Sequence, residues 1–132
     1  MRHDQVRALP AAFRRIRLEL AREPGHPEGE RGIGYTIVAP LNADGSLDVP
    51  AARTFRDDCS VIRFHDGRED QRGHLRRRPG GSWAFHYELP DDSEDDDPAY
   101  RLEEHRFAPG EYVTIIEDDG EHTYRVAAVE GI

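Results

Sequence analysis

The sequence predicts a mainly β fold: a single antiparallel, barrel-like domain of about six to eight short strands, with one short helix near residues 49–57. Three observations carry that prediction. Apolar residues recur at every second position in several short runs, turn-forming Pro, Gly, Asn and Asp separate those runs, and "RPGGS" joins two of them at hairpin spacing. A length of 132 residues is one domain's worth of chain, and a compact domain of about 150 residues buries roughly 70% of the surface its unfolded chain exposes. The domain reading is therefore one β-rich unit over 1–132, with a flexible N-terminus at 1–8 and a mobile acidic loop at 90–98.

Residues 10–22 satisfy two patterns. "RRIRLELA" alternates Ile16, Leu18 and Leu20 with Arg15, Arg17 and Glu19, as a half-buried strand does. Val6, Leu9, Phe13, Ile16 and Leu20 also fall at helical spacing, and Pro10 suits a first turn. Leu18 leaves that helical stripe, which favours the strand, and the helix stays open as the alternative. "EPGHPEGERG", Glu23 to Gly32, is a loop on its Pro and Gly content, and "IGYTIVAPL" is a strand.

"NADGSLD" shares Asn42, Asp44 and Gly45 with a calcium-binding loop, yet Pro40 stands where the first carboxylate belongs and Ala51 where the closing Glu belongs. A turn is the better reading. Asp48 can cap a short helix "VPAARTFRD", with Pro50 tolerated in its first turn. "SVIRF" is then a strand and "HDGRED" a turn.

"GHLRRRPGGSWAFHYE" sets three arginines against a turn and follows them with aromatic residues. Pro79-Gly80-Gly81 suits a three-residue loop, a type I turn followed by a left-handed glycine. That loop pairs Arg77 with Trp83, Arg76 with Ala84, Leu75 with Phe85 and His74 with His86. Leu75, Trp83, Phe85 and Tyr87 then share one face, and His74, Arg76, Arg78, His86 and Glu88 the other. Single-strand recognition by stacking needs rings and cations on the same surface, so the register disfavours nucleic acid and makes the aromatics core, with Arg77 laid over Trp83.

"PDDSEDDDP", Pro90 to Pro98, reads as a solvated loop, because like charges repel and nothing apolar is there to bury. "AYRLEEHRF", "GEYVTIIED" and "HTYRVAAVE" are strands. An Asp119-Gly120 turn would pair Val113 with Val126, Ile115 with Tyr124 and Glu117 with His122, leaving Val113, Ile115, Tyr124 and Val126 on one apolar face.

Charge is unevenly spread. Residues 1–81 hold 15 arginines against 12 acidic residues, net +3, and residues 82–132 hold 3 against 15, net −12, which together give the overall −9. A net −9 repels polyphosphate, so any contact with nucleic acid would rest on a local patch. No apolar run approaches the roughly 20 residues that cross a bilayer, and the expectation is a cytoplasmic chain without a membrane partner.

Few residues suggest catalysis. The single cysteine, Cys59, follows Asp57 and Asp58, whose charges disfavour a thiolate, so a buried structural role fits it better. Ser82 in "GGSW" lacks the closing glycine of a nucleophile elbow, "RGIGY" precedes a strand instead of following one, and a chain without lysine has no Walker-type phosphate loop. His74 and His86 directly opposite each other, with Glu88 on the same face, could supply imidazole and carboxylate ligands to a zinc-like ion; His26, near Glu28, and His105 are further candidates. No strong motif requires a cofactor.

The reading that results is a non-enzymatic ligand-binding or protein-interaction module, with an interior pocket or an arginine-rich face meeting an acidic partner. Its interaction candidates are Arg76, Arg77, Arg78 and Trp83, its partner a protein or small molecule, and a homo-oligomer is compatible with it. The alternative is a small metal-assisted enzyme built on His74, His86 and Glu88.

Overall fold

The computed structural model describes residues 12–77, 83–87, 95–99, 105–117 and 120–132; of Asp70, Arg77, Trp83, Tyr87 and residues 95–99 it describes the backbone alone. Among the described residues eight strands follow in chain order: β1 (Phe13–Leu20), β2 (Glu30–Pro40), β3 (Ser60–His65), β4 (Arg68–Arg77), β5 (Trp83–Tyr87), β6 (Asp95–Ala99), β7 (Tyr112–Glu117) and β8 (Gly120–Gly131). One helix, α1 (Val49–Thr54), and a 3-10 turn over Arg56–Asp58 lie between β2 and β3 among the described residues. The strands form one antiparallel sheet in the order β6-β5-β4-β3-β2-β1-β8-β7. The first six make a meander, and β8 pairs with β1 to bring the last hairpin alongside. The sheet curls into a half-barrel, with Cα atoms of its edge strands β6 and β7 within 8 Å of each other.

Period-2 alternation decides β1. Ile16 and Leu18 are 0% exposed, while Arg15 stands in solvent. Leu18, the residue that spoils the helical stripe, is set by register between Tyr35 of β2 and Val126 of β8. β1 and β2 approach so closely at Gly34 that a Cβ there would meet the Leu18 carbonyl oxygen at 1.8 Å, so only glycine fits. β2 starts at Glu30, three residues before the expected Ile33, because Leu20 pairs with Glu30 and Gly67 N–H donates to Gly32 O at 3.0 Å.

Asn42–Ser46 is a turn, with Asn42 N–H donating to Ser46 O at 2.8 Å and Gly45 in the left-handed region. The Asp44 carboxylate accepts from the Ser46 hydroxyl and amide, bonds that hold its pKa below the ordinary value. Asp48 caps α1 through Ala51 N–H at 3.2 Å. The helix ends at Thr54, and the rest of the expected helical span continues as the 3-10 turn. β3 and β4 are joined by Asp66-Gly67, both at positive φ, the backbone of a type I′ hairpin.

Three expectations change. The acidic run is a strand in its second half: Asp95–Ala99 pairs with β5, Tyr87 opposite Asp95 through Trp83 opposite Ala99, while residues 90–94 lie outside the described ones. Composition weighs side-chain repulsion, whereas the free edge of β5 offers backbone hydrogen bonds. Pro98 is tolerated because β6 is an edge. Of the expected strand "AYRLEEHRF", residues 100–104 lie outside the described ones, and His105–Phe107 forms a bend with one bridge, Arg106 to Ser46.

The last hairpin slips by two residues. Val113 pairs with Tyr124, Ile115 with His122 and Glu117 with Gly120, which moves the two-residue loop to positions 118–119. A slip of two preserves the faces, so Val113, Ile115, Tyr124 and Val126 are all buried on the inner side as expected. In this register Thr114 and Thr123 face each other across the outer side, their hydroxyls 3.2 Å apart.

Candidate functional site

The inward face is apolar along most of β1, β2, β7 and β8 and turns polar at one level. Tyr35 on β2 is the register partner of Arg63 on β3, and Arg63 the partner of Gln71 on β4; all three share the parity of the buried Leu18. Glu117 continues the inward series Val113 and Ile115 to the end of β7, and Tyr124 faces inward from β8. These residues meet. The Glu117 carboxylate accepts the Tyr35 hydroxyl at 2.8 Å and, at the same oxygen, the Tyr124 hydroxyl. Its other oxygen lies 3.4 Å from the Arg63 guanidinium, which also reaches Gln71 Oε1 at 3.5 Å.

Burial sets the chemistry of this cluster. The Glu117 side chain is 8% exposed and that of Arg63 31%, so the ion pair opens toward solvent on the arginine side. Desolvation, and behind it the neighbouring carboxylate, push the Tyr124 hydroxyl well above the ordinary tyrosine range and keep it a donor. Tyr35 packs its ring against Phe85 and Tyr124, each at 5.1 Å between centroids. A carboxylate that accepts from two phenols and faces a guanidinium, with its donors on three strands, is a tie across the interior. Sequence reasoning missed this cluster, although carrying the alternation of "YVTIIE" one step further puts Glu117 inside.

The hairpin residues behave differently. The expected register is present, His74 opposite His86, Leu75 opposite Phe85, Arg76 opposite Ala84 and Arg77 opposite Trp83. Leu75 and Phe85 are core, Arg76 is exposed, and His74 and His86 are half-buried on the outer side. Ala84 is buried although it shares the outer register. The stacking of Arg77 on Trp83 concerns side chains outside the described ones, and Arg78 and Glu88 lie outside the described residues altogether.

Among the described residues no group of three His, Cys, Asp or Glu could hold a metal ion. His26 faces Glu23, not Glu28, at 3.9 Å, and Glu23 also bonds His122 Nδ1 at 2.9 Å. Cys59 is buried in the core, its thiol pushed up to about 12 by desolvation and by Asp58.

The outer face of the sheet carries Arg15, Arg17, Arg72 and Arg125. One register row runs Arg15, Val38, Ser60, His74, His86 across β1 to β5, and a second runs Arg17, Thr36, Ile62, Arg72 across β1 to β4. Arg17 lies 4.3 Å over the Phe64 ring and donates to Glu19 at 2.7 Å, while Arg125 approaches Glu19 at 3.7 Å. No protein-family model, curated protein or solved structure matches this chain. Among the described residues no helix is long and apolar enough to cross a membrane.

Proposed function

We propose that this chain is a non-enzymatic interaction module, and that the outer face of β1 to β4 receives an extended acidic segment of a partner protein. The observation that supports it is the pair of register rows: arginines on β1 and again on β4 flank a strip of half-buried Thr36, Val38, Ser60 and Ile62. Arg15, Arg17, Arg72, Arg76 and Arg125 outnumber Glu19, Glu69, Glu121 and Glu130 on and around this face, with Arg72 paired to Glu69 and Arg17 and Arg125 sharing Glu19. Guanidinium groups favour bidentate carboxylate contacts, and the net field is screened beyond roughly 8 Å at physiological salt, so the local excess governs a docked partner. The use of Glu117 as a tie between strands and the burial of the Cys59 thiol support a role in binding rather than in catalysis.

A fluorescein-labelled peptide alternating glutamate and valine tests the reading by anisotropy. Salt-sensitive micromolar binding is expected, weakened about tenfold in an Arg15→Glu, Arg72→Glu double variant. Arg53→Glu, on α1, is expected to leave it unchanged. Absence of binding at low salt, or equal loss in all variants, overturns the proposal.

A further inference from the structure

The loop that leaves β1 is built around a turn. In "EPGH", Pro24 takes the first central place and Gly25, at φ 91°, the second, the pattern of a type II turn. Glu23 and His26 exchange both backbone hydrogen bonds across it, at 3.0 and 2.8 Å, and Gly29 N–H donates to His26 O at 2.9 Å. These bonds make residues 23–29 a strap of defined backbone. Beside it, Ala21 N–H donates to Thr123 O at 2.9 Å, which extends the β1–β8 ladder as far as the strap. His122 Nδ1 on β8 lies 2.9 Å from Glu23 Oε1, so one carboxylate joins the strap to β8.

We propose that His26 is a pH-sensitive latch, whose protonation fastens this strap to β8 through Glu23. The second oxygen of Glu23 lies 3.9 Å from His26 Nδ1, too far for a hydrogen bond, and that nitrogen is buried with no hydrogen-bond partner among the described residues. A neutral imidazole carries one N–H and a protonated one carries two. A proton gained by His26 therefore sets an Nδ1–H against a carboxylate, and a movement of about 1 Å makes a charge-assisted hydrogen bond of the approach. The fastened strap binds that proton more tightly than the open one. Fastening is thus favoured on the acid side of the imidazole range and is lost as pH rises through it.

Other charges near the strap are placed as follows. Arg22, Glu28 and Glu121 are exposed, Glu30 accepts from Gly32 N–H at 2.9 Å, and Glu117 at the end of β7 is held by Tyr35, Tyr124 and Arg63. Asp118 and Asp119 lie outside the described residues and are tested directly below. The latch is separate from the arginine face of β1 to β4, and neither proposal needs the other.

Hydrogen exchange of the His26 and Gly29 amides in the full chain, at about pH 5.5 and about pH 7.5 with each rate divided by its intrinsic value, is the experiment. Protection is expected to be about fivefold higher at the lower pH, with the ring ¹⁵N signals of His26 showing both nitrogens protonated there. His26→Gln and Glu23→Gln should each make protection of the Gly29 amide independent of pH. His65→Gln, at an exposed histidine 3.4 Å from Asp66, should keep the wild-type response, as should an Asp118→Asn, Asp119→Asn double variant. The two wild-type readouts decide the matter even where a variant fails to fold. Equal protection at both pH values, a His26 Nδ1 without its proton at the lower pH, a response that survives His26→Gln, or one lost in the aspartate double variant overturns the proposal.

Discussion

Tyr35 on β2 and Glu117 on β7 are joined by a 2.8 Å hydrogen bond across 82 positions of chain, and that bond ties the β7–β8 hairpin to the centre of the sheet. Removing the carboxylate takes the shared acceptor from the Tyr35 and Tyr124 hydroxyls and the anion from Arg63, which keeps Gln71 and its opening to solvent. Removing one phenol leaves the other donors on the carboxylate. Glu117→Ala is therefore expected to lower the free energy of unfolding by about 3 kcal/mol, and Tyr35→Phe by about 1 kcal/mol, in urea titrations. A Glu117→Ala chain as stable as the wild type would show that the cluster carries no structural weight.

Stability should also fall on the alkaline side. The Cys59 thiol, near 12 in the folded chain against an ordinary 9.0, keeps its proton where the unfolded chain has lost it. Its contribution is full below pH 9 and is lost as pH climbs toward 12; Tyr124, also raised, adds in the same sense above pH 10. Cys59→Ala is expected to flatten the decline between pH 9 and 10, read from urea midpoints. A slope unchanged by the substitution would assign the effect to other groups.

The edge strand β6 gives a third test. Replacing Asp95–Ala99 with Gly and Ser removes the strand that pairs with β5, and each glycine in a strand costs about 0.5–1 kcal/mol before any lost pairing. A drop of several degrees in the melting point is expected. A melting point within a degree of the wild type would mean that the pairing contributes nothing.

What could be read from the sequence follows from what each signal constrains. Pro79-Gly80-Gly81 dictates one loop length, and the register from His74–His86 to Arg77–Trp83 follows from it. Around residues 118–120, Asp-Asp and Asp-Gly both allow a two-residue loop, so parity was legible and the register was not. The Glu117 cluster escaped because its members come from β2, β3, β7 and β8, and only the curled sheet brings them together. β6 escaped because an edge strand is stabilised by its neighbour's backbone, which composition does not record.

The arginine hairpin yields the last test. Arg76 is exposed on the outer side while Leu75 and Phe85 are buried on the inner side, so this register does not interleave the core ring of Phe85 with that cation. β6 also lies directly beside β5, placing Asp95, Asp96 and Asp97 at register positions opposite Tyr87, His86 and Phe85. This local arrangement disfavours a polyphosphate backbone at the hairpin. Labelled single- and double-stranded oligonucleotides are expected to show no binding by anisotropy at physiological ionic strength, although the acidic-segment peptide binds. Salt-sensitive micromolar association with DNA that disappears in an Arg76→Ala, Arg78→Ala double variant would reverse that expectation, and would move the partner of this face from an acidic protein to a nucleic acid.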